Sequence, residues 1–138
     1  MLILAISITS ILSIIALLHF YWSFGGQYGV QSVAPKPVGE DEIKIPRALA
    51  FIVGCLIMLL GVLAIFLAIE NNLDKQYESS IGYLVSVVVV VRAIGEFRYL
   101  GFFKKIYNSS FAKKDTFFFS PLCLILGISF FVLSKLNI

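Results

Sequence analysis

Four apolar runs, at about residues 2–24, 47–69, 81–103 and 117–133, decide what this chain can fold into. A helix rises about 1.5 Å per residue, so about 20 apolar residues cross a hydrocarbon core of about 30 Å. Inside lipid a lone segment must satisfy its own backbone N–H and C=O groups, and only a helix does so. That requirement overrules the valine run Val85-Ser-Val-Val-Val-Val-Val91, which favours a strand in water. The expected fold is therefore all-α: an integral membrane four-helix bundle, one domain over residues 1–138. Composition agrees, since 59% of the 138 residues are hydrophobic and only 14% charged. A soluble domain of this size does not carry that balance.

The segment ends carry further signals. The first run has no positive leader, exceeds a usual signal h-region and lacks a small-x-small cleavage site before Gly25-Gly26, so it reads as a retained helix. Its aromatic cluster Phe20-Tyr21-Trp22 suits a membrane interface. The following loop, 25–46, is rich in glycine and proline, carries the acidic run Glu40-Asp41-Glu42 and closes on Pro46, a favourable helix start. Gly54 and Gly61 permit close helix approach. Asn71-Asn72 marks a turn between the second and third runs. Asp115 or Thr116 is the expected N-cap of the fourth helix, and Pro121 the expected source of a kink.

Four spans place loops 25–46 and 104–115 on one side, with Lys36, Lys44, Arg47, Lys104, Lys105, Lys113 and Lys114. The termini and the 70–80 connection share the other side, with Lys75 and Lys135. The positive-inside rule then makes the chain N-out and C-out, a multi-pass plasma-membrane protein with both longer loops cytoplasmic. The lysines also suit contact with anionic lipid. A formal net charge of +3 is too small to imply nucleic acid.

Against this apolar background, Arg92, Glu96 and Arg98 stand out. A charge at the bilayer centre costs at least about 2.5–3.5 kcal/mol, so such residues need pairing, a wet cavity or a ligand. Arg92 and Glu96 are four apart and share a helix face, continued by Tyr99. His19 and Trp22 share a face of the first helix. Counting residues from the span ends places His19 about 8 Å, Glu96 about 10 Å and Cys123 about 9 Å from the cytoplasmic side. Ser120 lies slightly shallower and Arg92 one turn deeper. The expected site is a cytoplasm-facing polar pocket of His19, Trp22, Arg92, Glu96, Arg98 and Tyr99, edged by Ser120 and Cys123.

Each residue also has a packing role set against this one. An Arg92–Glu96 couple fixes helix contacts while Arg98 snorkels to phosphate. His19 forms a packing hydrogen bond, Trp22 anchors the interface, and Cys55 and Cys123 act as small apolar residues. With one histidine and two cysteines, neither in a ligand spacing, no metal and no cofactor is expected.

The stretch Arg92-Ala-Ile-Gly-Glu-Phe-Arg-Tyr-Leu-Gly-Phe-Phe-Lys-Lys105 resembles the domain-of-unknown-function 3995 family of small four-span bacterial membrane proteins. Leu18-His19-Phe-Tyr-Trp22 before Gly25-Gly26 is similar too, as are Phe111-Ala112, Asp115-Thr116 and Ser120-Pro121-Leu122-Cys123. The resemblance implies four spans and a bacterial plasma membrane, and brings no activity or catalytic residues. The expected function is binding of an anionic or amphipathic small molecule or lipid, because an arginine fork suits carboxylate or phosphate. Two alternatives stand beside it. One is a membrane enzyme moving protons through His19 or Glu96 on a lipophilic substrate. The other is a structural subunit, paired within a homo-oligomer or with another membrane protein.

Overall fold

A computed structural model of the protein describes residues 1–30, 45–69, 73–95 and 113–137. The described residues are helical, with no strand among them. Helix α1 spans Leu2–Ser23, α2 Arg47–Phe66, α3 Lys75–Ile94 and α4 Ser120–Asn137, the last preceded by a π-helical turn over Asp115–Phe119. All four are long and apolar enough to cross a membrane.

Local chemistry sets the boundaries. Helix α1 closes where Gly25 takes φ 97°, with the Gly25 and Gly26 amides donating to the Trp22 and Tyr21 carbonyls. Pro46 stands at the N-cap of α2, where its missing N–H costs nothing. The Asp74 side chain caps α3 by accepting from the Gln76 amide at 2.9 Å. That helix starts six residues before the apolar run at Ile81, and it ends at Gly95, whose φ is 88°. The valine run is helical, as its membrane setting requires.

The helices pair antiparallel, α1 with α2 and α3 with α4. Small residues let them approach. Thr9 Oγ1 donates to the Gly61 carbonyl at 2.9 Å, and the Phe20 ring lies against Gly54. In the second pair Ser86 Oγ donates to the Gly127 carbonyl at 2.7 Å, and Ser134 and Leu67 both crowd Gly82. Lipid tails are as apolar as leucine, so such close contacts and hydrogen bonds hold helices together where burial alone does not.

One core joins the pairs: Ala5, Ile8 and Leu12 of α1, Ala64 and Leu67 from the α2 end, and Leu126, Phe130 and Leu133 of α4. Large apolar side chains such as Ile3, Leu17, Leu59, Val88 and Ile125 point outward. The buried polar side chains among the described residues all lie on the α3–α4 half: Glu78, Ser79, Ser86, Asp115, Ser120, Ser134 and Asn137. This distribution inverts that of a water-soluble bundle. The pairing also brings the C-terminal ends of α1 and α3 and the N-terminal ends of α2 and α4 to one end of the bundle.

Candidate functional site

Pro121 shapes that end. It lacks an N–H, and its ring crowds the carbonyl four residues back, so a regular α-turn cannot form there. The backbone widens into the π turn, in which the Ser120 amide donates to the Asp115 carbonyl five residues earlier. An α-helix would put residues 115 and 120 about 140° apart around the axis. The wider turn brings them back over one another, and both are fully buried. Asp115 thus lies inside the helical segment, just past Lys114 at the N-cap position of the π turn, and is not the N-cap expected of it.

Its carboxylate meets Arg92 instead. Arg92 Nη2 donates to Asp115 Oδ1 at 3.1 Å, linking the end of α3 to the start of α4. The Asp115 side chain is 0% exposed and that of Arg92 34%, so the pair sits at the edge of the interior with its anion innermost. Arg92 Nη1 and Ser120 Oγ are both buried and have no hydrogen-bond partner among the described residues. Cys123, one turn beyond Ser120, feels the charges of both Arg92 and Asp115. Among the described residues, Arg92, Asp115, Ser120 and Cys123 form one polar group.

His19 and Trp22 form another. The Nδ1–H of His19 donates to the Ile15 carbonyl at 2.8 Å, because a carbonyl can only accept. Its ring meets Trp22 edge-on at 5.2 Å between centroids. Trp22 Nε1 donates to the Tyr28 carbonyl at 3.0 Å and packs with Val30 and Ala50. His19 and Trp22 thus come together on one face, but Trp22 is turned to the α2 side. Among the described residues no hydrogen bond, ion pair or ring contact joins this group to Arg92. Glu96, Arg98 and Tyr99, the other expected site residues, lie outside the described residues.

A family model for proteins of unknown function matches residues 12–130. The chain belongs to the DUF3995 family. In this DUF3995 member the matched span covers both polar groups. No curated protein and no solved structure is significantly similar to the chain.

The sequence reading missed two arrangements. Asp115 was legible as a charge at a helix start facing the end of the preceding span, where Arg92 needed a counter-ion. The second lies at the opposite end of the α3–α4 pair. There Lys75 Nζ donates to the Ile69 carbonyl at 3.3 Å, Glu78 Oε2 at 3.3 Å and Asn137 Oδ1 at 3.2 Å. Asn137 Nδ2 donates in turn to Glu78 Oε2 at 3.1 Å. This knot ties three helix ends, and Lys75 and Glu78 three apart on one helix face were its visible trace.

Proposed function

We propose that this protein is a small bacterial plasma-membrane protein that holds the oxyanion of an amphipathic small molecule or lipid at Arg92. The observation that carries the reading is the pair of buried donors, Arg92 Nη1 and Ser120 Oγ, that have no hydrogen-bond partner among the described residues. An unsatisfied polar group in hydrocarbon costs several kcal/mol, which a ligand oxygen relieves. Asp115 occupies one end of the guanidinium and leaves the other for a ligand. Arginine's planar fork divides naturally in this way. The clustering of lysines on loops 25–46 and 104–115 supports a cytoplasmic position for this end.

The test is mass spectrometry of gently purified protein, resolving bound lipids and acids. Wild type should carry an anionic species that Arg92→Gln loses about tenfold or more, as expected for a charge-assisted hydrogen bond of about 1.5–3 kcal/mol. Ser120→Ala should lower retention less. Equal retention by Arg92→Gln and wild type overturns the reading. A second reading, a purely structural pair, draws on the same Arg92–Asp115 bridge between α3 and α4. It would then stand if Arg92→Gln still loses stability.

A further inference from the structure

We infer that the ligand held at Arg92 is a fatty-acid anion, a single-chain carboxylate taken head-first from the membrane. This rests on the binding reading above and names the chemical class that the same site accepts. Ser120 is the unusual residue. A helical serine commonly donates to the carbonyl four residues back. Ser7, Ser10, Ser80, Ser129 and Ser134 all do so, at 2.8–2.9 Å. Ser120 is fully buried, yet its Oγ makes no such bond among the described residues. It follows the π turn, whose wider backbone carries its amide to the Asp115 carbonyl five residues back. The hydroxyl is thus left to meet a ligand, as is Arg92 Nη1. The two donors are not bonded to each other, so each can serve a separate oxygen of one oxyanion.

Charge limits that oxyanion to a single negative charge. Arg92 and Asp115 sum to zero, so every charge the ligand adds is uncompensated within the pair. Each further charge in an interior is expensive. The exposed Lys113 and Lys114, next before Asp115, supply a positive field that draws one anion in. A phosphate monoester brings a charge of about −1.5 to −2 near neutrality, whereas a carboxylate brings one.

Shape separates a carboxylate from the equally charged phosphodiester. Both donor atoms are enclosed, so a ligand meets them end-on. A carboxylate is the end of its chain, while a phosphodiester continues on both sides of phosphorus. Depth agrees. Ser120 lies five residues into the helical segment that begins at Asp115, about 7 Å along the axis. A fatty acid there keeps its tail in hydrocarbon, beside the exposed side chains of Phe118, Ile125 and Val91.

The test offers three probes with the same oleyl tail to the full chain in phosphatidylcholine nanodiscs: oleate, oleyl phosphate and dioleoyl phosphatidylglycerol. They are present in equal amounts at mildly alkaline pH, and native mass spectrometry reads which remains on the protein. Wild type should retain oleate about tenfold or more over either phosphate. Ser120→Ala leaves the Arg92–Asp115 bridge in place and should lower oleate retention about three- to fivefold, as for one lost hydrogen bond. Oleyl phosphate or phosphatidylglycerol retained as well as oleate overturns the inference and leaves the oxyanion reading at Arg92 standing. Oleate retention unchanged in Ser120→Ala also overturns it, because the hydroxyl is then no part of the site. So does displacement of oleate by an equal concentration of butyrate, which has the same head and no long tail. Retention of none of the three probes above the phosphatidylcholine background overturns both readings.

Discussion

Arg92 is a cation at the end of a valine run, and it pairs with a carboxylate that has no exposure to solvent. Removing the cation takes an ion-pair partner from an enclosed carboxylate, which is costlier than removing the pair. Arg92→Leu should therefore lose about 3–5 kcal/mol of stability in bicelles, measured by reversible denaturant unfolding. Adding Asp115→Leu should return most of it, because an apolar pair of similar volume is often neutral. A double variant as weak as the single one would contradict this account. Arg92 was legible because any charge in such a run stands out. Asp115 showed in the sequence only as a charge at a helix start, because α-helical spacing turns it away from Ser120 and the side chain resembles an ordinary cap. Proline's effect on the turn before it supplies the missing rotation.

That rotation belongs to the element. Pro121→Ala restores an N–H and allows the turn to relax toward an α-helix. Coupling between residues 92 and 115, about 0.5–3 kcal/mol for contacting groups, should then fall below the lower bound in a double-mutant cycle. Persistence of full coupling would show that the π turn does not place Asp115. The α3–α4 seam gives a second element-scale prediction. A Cβ on Gly127 would meet Val90 Cγ2 at 2.6 Å and the Ser86 carbonyl oxygen at 3.2 Å, so the helices must part. Gly127→Ala should cost about 1–3 kcal/mol by overpacking. Gly61→Ala meets nothing nearer than 3.4 Å and should be close to neutral, aided by alanine's better helix propensity. The same unfolding assay compares them. Hydropathy revealed the helices themselves, yet helix α3 begins well before its apolar run. The Asp74 cap and the Lys75–Glu78–Asn137 knot satisfy its polar first turn within the bundle, which hydropathy cannot register.

At the scale of the whole molecule, hydropathy fixes four spans but not which helices pair, because all of them are apolar on most faces. Pairing follows from small-residue seams, and the joint between the pairs centres on Phe130, fully buried in the shared core. The antiparallel arrangement also gathers the polar group at Arg92 and the ends leading to both lysine-bearing loops at one side of the bundle. Orientation in the membrane is thus tied to which side a soluble ligand reaches. If the lysines set it, charge and not helix packing should be the lever, since the bundle packs identically either way up. Replacing Lys104, Lys105, Lys113 and Lys114 by Gln leaves Lys36, Lys44 and Arg47 against Lys75 and Lys135. With that bias nearly gone, insertion should become mixed, with a substantial share of chains inverted, while wild type inserts one way. A C-terminal reporter active on only one side of the membrane reads the split. Unchanged one-way insertion of the quadruple variant would show that the first loop alone sets the topology, and would move the determinant to Lys36, Lys44 and Arg47.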